Sequence, residues 1–128
     1  MNISIIEDDP DCSENYVEFL EARGHKLTVY NNADSVIDNI DKICRSEVII
    51  LDLMMQLGTK IRPSEADETG TAIYKRIRLI NKDIPIVIIT AKSYADIRSD
   101  FSSDKKSCYL GKPIRDLEML YEAVEKWS

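Results

Sequence analysis

The stretch EVIILDLMM, residues 47–55, decides the fold. In it Val48, Ile49, Ile50 and Leu51 follow one another without a polar break, and Asp52 comes immediately after. An apolar run with no polar alternation marks a strand buried on both faces, as strands of parallel sheets are. Similar runs recur on either side, at residues 3–6, 27–30, 86–89 and, more weakly, 108–110. Between them the apolar residues take helical spacing. Residues 10–23 carry Tyr16, Phe19 and Leu20 and stop at Gly24; residues 33–44 place Val36, Ile37, Ile40, Ile43 and Cys44 on one face, with Asp34 and Asp38 outward. Ala72, Ile73, Ile77 and Ile80 mark a third helix that ends before Pro85, residues 94–101 form a fourth, and residues 115–127 repeat Leu117, Leu120, Tyr121 and Val124 as a fifth. Strand and helix alternating in this way predict an α/β domain around a five-stranded parallel sheet.

With 128 residues the chain reads as one domain spanning 1–128, with no internal repeat, no linker and nothing left over for an output domain. Apolar residues at 44% and charged residues at 31% exclude a disordered tail. A formal charge of −6 disfavours nucleic acid and anionic lipid as partners, since the average field repels phosphate. The apolar runs are far shorter than the roughly 20 residues of a membrane span. Because MNISIIEDDP lacks the features of a signal peptide, a cytoplasmic location is expected. Cys12, Cys44 and Cys108 are widely spaced, with no CxxC pair, and read as thiols in a reducing compartment. His25, just after Gly24, reads as a solvated turn residue, and Asp9 with Pro10 as the cap of the first helix.

In open parallel sheets the site lies beyond the carboxyl ends of the strands. Glu7, Asp8 and Asp9 follow the first run, Asp52 the third, Thr90 and Ala91 the fourth, Lys112 and Pro113 the fifth. Singly, such acids are common turn or cap residues. Together they put carboxylates, a hydroxyl and an amine on one edge. Clustered carboxylates repel one another unless a cation neutralises them, and a hard divalent ion such as Mg²⁺ takes oxygen ligands and keeps positions open for phosphoryl oxygens. Asp52, the one of these carboxylates that ends a fully apolar strand, is the candidate nucleophile for an aspartyl-phosphate, with Thr90 and Lys112 as donors to its phosphoryl oxygens.

Through the motifs IIEDD (5–9), VIILDLMM (48–55), VIITAK (87–92) and CYLGKP (108–113), the chain resembles the receiver domains of two-component response regulators over its whole length. The resemblance implies a doubly wound, flavodoxin-like (βα)5 fold with strand order 2-1-3-4-5 and helices on both faces. It makes Asp52 the phosphoacceptor and Asp8 a direct Mg²⁺ ligand, with Glu7 acting through water and the main-chain carbonyl of Met54 completing the set. Thr90 becomes the switch hydroxyl, Lys112 the phosphoryl-binding lysine and Tyr109 the switch aromatic. Also implied are a histidine kinase or phosphotransfer protein as donor, and a downstream protein target met through the fourth helix, fifth strand and fifth helix. On this reading the domain is no enzyme beyond catalysing its own phosphorylation and dephosphorylation. The alternative is a degenerate receiver that binds a partner without being phosphorylated. A hydrolase working through an aspartyl-phosphate would ordinarily carry a second Asp two residues after the nucleophile, where this chain has Met54.

The family pattern is broken after the acceptor. Gln56 stands where a proline is usual, and the counterpart of the family glycine is Gly70, so the loop over residues 56–69 is unusually long. Leu57 and Ile61 are its only sizeable apolar anchors beside Lys60, Arg62, Glu65, Asp67 and Glu68. The expectation is a weakly anchored, mobile flap on the rim of the site, contributing to partner choice.

Overall fold

The computed structural model describes residues 1–65 and 68–127. Its strands are β1 (Asn2–Ile6), β2 (Lys26–Tyr30), β3 (Val48–Asp52), β4 (Ile86–Thr90) and β5 (Ser107–Gly111). All pair in parallel, in the order β2-β1-β3-β4-β5. The helices are α1 (Pro10–Glu21), α2 (Ala33–Asp38), α3 (Ile40–Ile43), α4 (Thr69–Ile80), α5 (Tyr94–Phe101) and α6 (Leu117–Glu125), with a 3₁₀ turn at Pro63–Glu65. The five-stranded, doubly wound fold expected from the sequence is thus the one observed.

Alternating side chains divide the core between the two sheet faces. Ile3, Ile5, Val48, Ile50, Val87 and Ile89 pack with Tyr16 and Leu20 of α1 and with Leu120 and Val124 of α6. On the other face Ile49, Leu51, Ile86 and Ile88 meet Val36, Ile43, Ile73, Ile77 and Phe101, which come from α2 to α5. Every residue of β3 is buried. At roughly 1.5–3 kcal/mol for each large aliphatic side chain removed from water, burial holds this central strand, and β4 beside it, firmly in place. Asp52, its last residue, inherits that rigidity.

Local chemistry sets the helix ends. Asp9 caps α1 through Asp11 N–H, with Pro10 in its first turn, and Asp116 caps α6 through Glu118 N–H. The second helix expected from the sequence is two helices, because the backbone departs from helical geometry at Asn39 (φ −116°, ψ 17°). The fourth and fifth helices of the sequence reading are therefore α5 and α6. His25 also corrects an expectation: its side chain is only 6% exposed, with Nε2 2.8 Å from a Glu125 carboxylate oxygen and Nδ1 3.1 Å from the Met1 amino group. Cys12, Cys44 and Cys108 are free thiols. No described helix is long and apolar enough to cross a membrane.

The long loop is fastened at more places than its composition suggested. Asp34, at the start of α2, accepts hydrogen bonds from Thr59 N–H (2.8 Å), Thr59 Oγ1 (2.8 Å) and Lys60 N–H (2.9 Å). Glu65 pairs with Arg76 of α4 at 2.5 Å, Lys60 pairs with Asp38, and both Met55 and Ile61 are buried in the core. Gly58 permits this docking, since its φ is +71° and a Cβ there would lie 2.7 Å from Asp34 Oδ1. Asp67, also part of the expected flap, lies outside the described residues.

Candidate functional site

The parallel ladder delivers the candidate residues to one edge. Glu7 follows β1 directly and donates its backbone N–H to Tyr30 O at 3.1 Å, so β2 orients the residue after β1. Lys112 is aligned in the same way beyond β5, through its N–H to Thr90 O at 2.8 Å, and the Lys112-Pro113 bond is cis. Asp52 is buried, its Oδ1 accepting Met54 N–H at 3.0 Å and its Oδ2 lying 3.2 Å from Lys112 Nζ. Both oxygens are therefore held in place. Ligand oxygens of Glu7, Asp8 and Asp52 lie within 4.8 Å of one another.

The electrostatics are unbalanced. Glu7 is 1% exposed; Lys112 Nζ sits 2.5 Å from its Oε1, while its buried Oε2 has no hydrogen-bond partner. Burial first, and then the neighbouring Asp52, raise the Glu7 pKa above the ordinary carboxylate range against the pull of Lys112. Burial by itself lowers the pKa of Lys112, but hydrogen bonds and charge from Glu7 and Asp52 outweigh that and raise it above the usual lysine value. Three carboxyl groups thus lie together, two of them in contact with one ammonium, with one buried oxygen unserved. An all-oxygen donor set of this kind fits a hard divalent cation such as Mg²⁺. Asp8 is partly exposed and opens onto a cleft of about 310 Å³ that Asn32, Asp34, Gln56 and Gly58 help to line.

Thr90 is fully buried and its Oγ1 accepts Lys92 N–H at 3.2 Å. Tyr109 OH donates to Lys92 O at 2.7 Å, and its ring lies 5.5 Å from that of Tyr94. Residue 92 therefore joins Thr90 to Tyr109 through its own N–H and C=O. Its side chain pairs with Glu68 at 2.5 Å, which links α4 to the loop after β4. Reading the sequence missed this connection, because a main-chain bridge leaves no trace in residue type. Gly70 was legible: its N–H donates to Leu53 O at 2.9 Å, and a Cβ there would lie 2.2 Å from Leu53 Cα.

Comparison with known proteins agrees with this geometry. The sequence pattern of the response regulator receiver domain matches residues 3–125. The transcriptional regulatory protein BaeR of Escherichia coli O6:H1 is 31% identical over 90 residues, which cover 70% of this chain and 32% of that protein. The chain thus spans about a third of the length of that relative. A two-component response regulator from Clostridium difficile superposes with a TM-score of 0.77 at 27% identity, covering 98% of this chain and 93% of the other. The response regulator TrrA from Thermotoga maritima, solved in complex with Mg(2+)-BeF, gives a TM-score of 0.75 at 26% identity over 99% and 98% of the two chains. A pattern matched almost from end to end, on a sheet of the expected order with acids, hydroxyl and lysine at one edge, means that the chain belongs to the response regulator receiver domain family of two-component systems.

Proposed function

We infer that this receiver takes a phosphoryl group onto Asp52 from a histidine kinase or phosphotransfer protein and thereby alters a protein-binding surface, with residues 1–128 acting as one receiver unit. The observation that carries the reading is the cluster of Glu7, Asp8 and Asp52, with Lys112 Nζ in contact with two of the three. Asp8, Asp52 and the main-chain carbonyl of Met54 would hold Mg²⁺, and Glu7 would act on it through water. When bound, the ion supplies positive charge between the acids and the incoming phosphoryl oxygens.

An Asp52 carboxylate oxygen attacks phosphorus, forming an O–P bond while the bond from phosphorus to the donor breaks and its electron pair leaves with the donor. Lys112 places a point charge beside the acceptor, and Thr90 offers a hydroxyl to a phosphoryl oxygen. The protein accelerates nothing but its own phosphorylation and dephosphorylation. Receiver domains act between kinases or phosphotransfer proteins and downstream targets, and here the target surface is assigned to α5, β5 and α6. The first test is intact mass after treatment with acetyl phosphate and Mg²⁺. Wild type gains one phosphoryl group and Asp52→Asn gains none, whereas equal gain in both would remove Asp52 from its role.

A further inference from the structure

At the opposite end of the sheet the packing changes character. On the face covered by α2 to α5, the N-terminal halves of β1 and β2 carry Ser4, Lys26 and Thr28, positions at which a doubly covered parallel sheet is ordinarily apolar. The helix layer stops short there, since α3 is a single turn after the break at Asn39, and Lys26 and Thr28 are exposed. The uncovered space is a concavity of about 440 Å³, within the size range of small-ligand sites. Lys42 and Arg45, in and just after α3, complete its wall with Ser46. Ser4 is buried, and its hydroxyl lies 2.5 Å from that of Ser46. Among the described residues no carboxylate forms an ion pair with Lys26, Lys42 or Arg45, so none of the three is committed to an acid.

Three cations and three hydroxyls thus share the wall of one hollow, on a chain whose formal charge is −6. We propose that this concavity, bounded by β1, β2 and α3, binds a small phosphorylated anion of up to about mononucleotide size. A small ligand fits better than a polymer. Long polyanions meet the acidic remainder of the surface within a Debye length or two, whereas a compact phosphoryl group sees mainly the three cations and the hydroxyls of Ser4, Ser46 and Thr28. Ser4 lies roughly 10 Å along β1 from Glu7 at about 3.3 Å per residue, so the hollow is separate from the phosphorylation site.

Inorganic pyrophosphate, titrated without divalent cation into the whole chain, is the probe, with backbone amide shifts as readout. The expected result is saturable shifts clustered at residues 2–4, 26–30 and 42–46. Affinity should fall roughly tenfold or more when Lys26→Gln, Lys42→Gln and Arg45→Gln are combined. All three side chains are exposed, so the variant should keep the wild-type spectrum elsewhere. Shifts no larger than potassium chloride gives at equal ionic strength would overturn the proposal, as would shifts confined to the neighbourhood of Lys112 or wild-type affinity in the triple variant. None of these readouts depends on whether Asp52 is phosphorylated.

Discussion

Gly70 opens α4, and its Cα runs so close to β3 that a methyl group there would sit 2.5 Å from the carbonyl oxygen of Asp52 and 2.2 Å from Leu53 Cα. Neither neighbour can yield, because both are backbone and β3 is packed on both faces. Gly70→Ala is therefore expected to lose about 1–3 kcal/mol of stability, the usual cost of overpacking, read as a lower urea midpoint at unchanged slope. Phosphorylation by acetyl phosphate should slow as well, since the strain falls on Asp52, the proposed acceptor. A midpoint equal to wild type would mean that α4 simply moves aside. The acids differ in another way. Glu7 has one oxygen taken by Lys112 and is almost fully buried, whereas Asp8 is partly exposed beside the cleft. Asp8→Ala should therefore weaken Mg²⁺ binding more than Glu7→Ala in a calorimetric titration, and the reverse order would exchange their roles.

Among the elements, α4, α5 and β5 meet at Asp104. Its carboxylate takes Arg78 Nε at 2.8 Å, the Tyr74 hydroxyl and Lys106 N–H at 2.9 Å, while Arg78 also reaches the carbonyls of Asn81, Ile84 and Lys106. Burial alone would raise the pKa of Asp104, but these donors together hold it below the ordinary aspartate value. A carboxyl lowered in the folded state stabilises fully above its unfolded pKa of about 4, and loses that contribution as pH falls through the folded value. Asp104→Ala should cost about 1–3 kcal/mol at pH 7 by leaving these donors unserved, with the gap to wild type narrowing below about pH 4. A gap independent of pH would show that packing, not charge, is what the residue supplies. The loop over residues 56–69 makes a different case. Asp34→Ala removes the acceptor for two backbone N–H groups and a hydroxyl, so amide exchange at Thr59 and Lys60 should quicken while the core stays protected; unchanged exchange would place the loop's attachment at Ile61 and Arg76 instead. This anchoring was not legible in the sequence. Asp34 looked like an outward helix residue, and its partners lie far along the chain. The break at Asn39 escaped for a similar reason, because the apolar spacing of Val36, Ile37, Ile40 and Ile43 continues across it. β3 and β4, and the residues just beyond the strands, were legible because burial on two faces favours apolar runs, and the first polar residue after such a run marks the edge of the sheet.

In the molecule as a whole, the question is how phosphorylation at Asp52, as proposed, would reach the α5–β5–α6 surface. The connection is short: Thr90 Oγ1 takes Lys92 N–H, and Lys92 O takes the Tyr109 hydroxyl. On the proposed function, a phosphoryl group on Asp52 that drew the Thr90 hydroxyl toward itself would compete for this arrangement, shifting the loop after β4 and loosening the grip on Tyr109. Beside the Tyr109 ring lies a cavity of about 190 Å³ lined in part by Ile88, Ile97 and Phe101. Such a switch is a population shift, and it requires the phosphoryl group to interact differently with the two arrangements. Adding beryllofluoride with Mg²⁺ should therefore move amide resonances at residues 90–92 and also across α5, β5 and the start of α6. In Tyr109→Phe, which keeps the ring but not the hydroxyl, the shifts near Asp52 should persist while the distant set changes in size, because the free protein no longer holds the Lys92 carbonyl. The comparison separates two mechanisms. If the distant shifts are identical in wild type and Tyr109→Phe, the signal passes through the β4–β5 ladder and the hydroxyl is a bystander; if wild type shows shifts only around the carboxylate cluster, the surface does not respond to the acceptor at all.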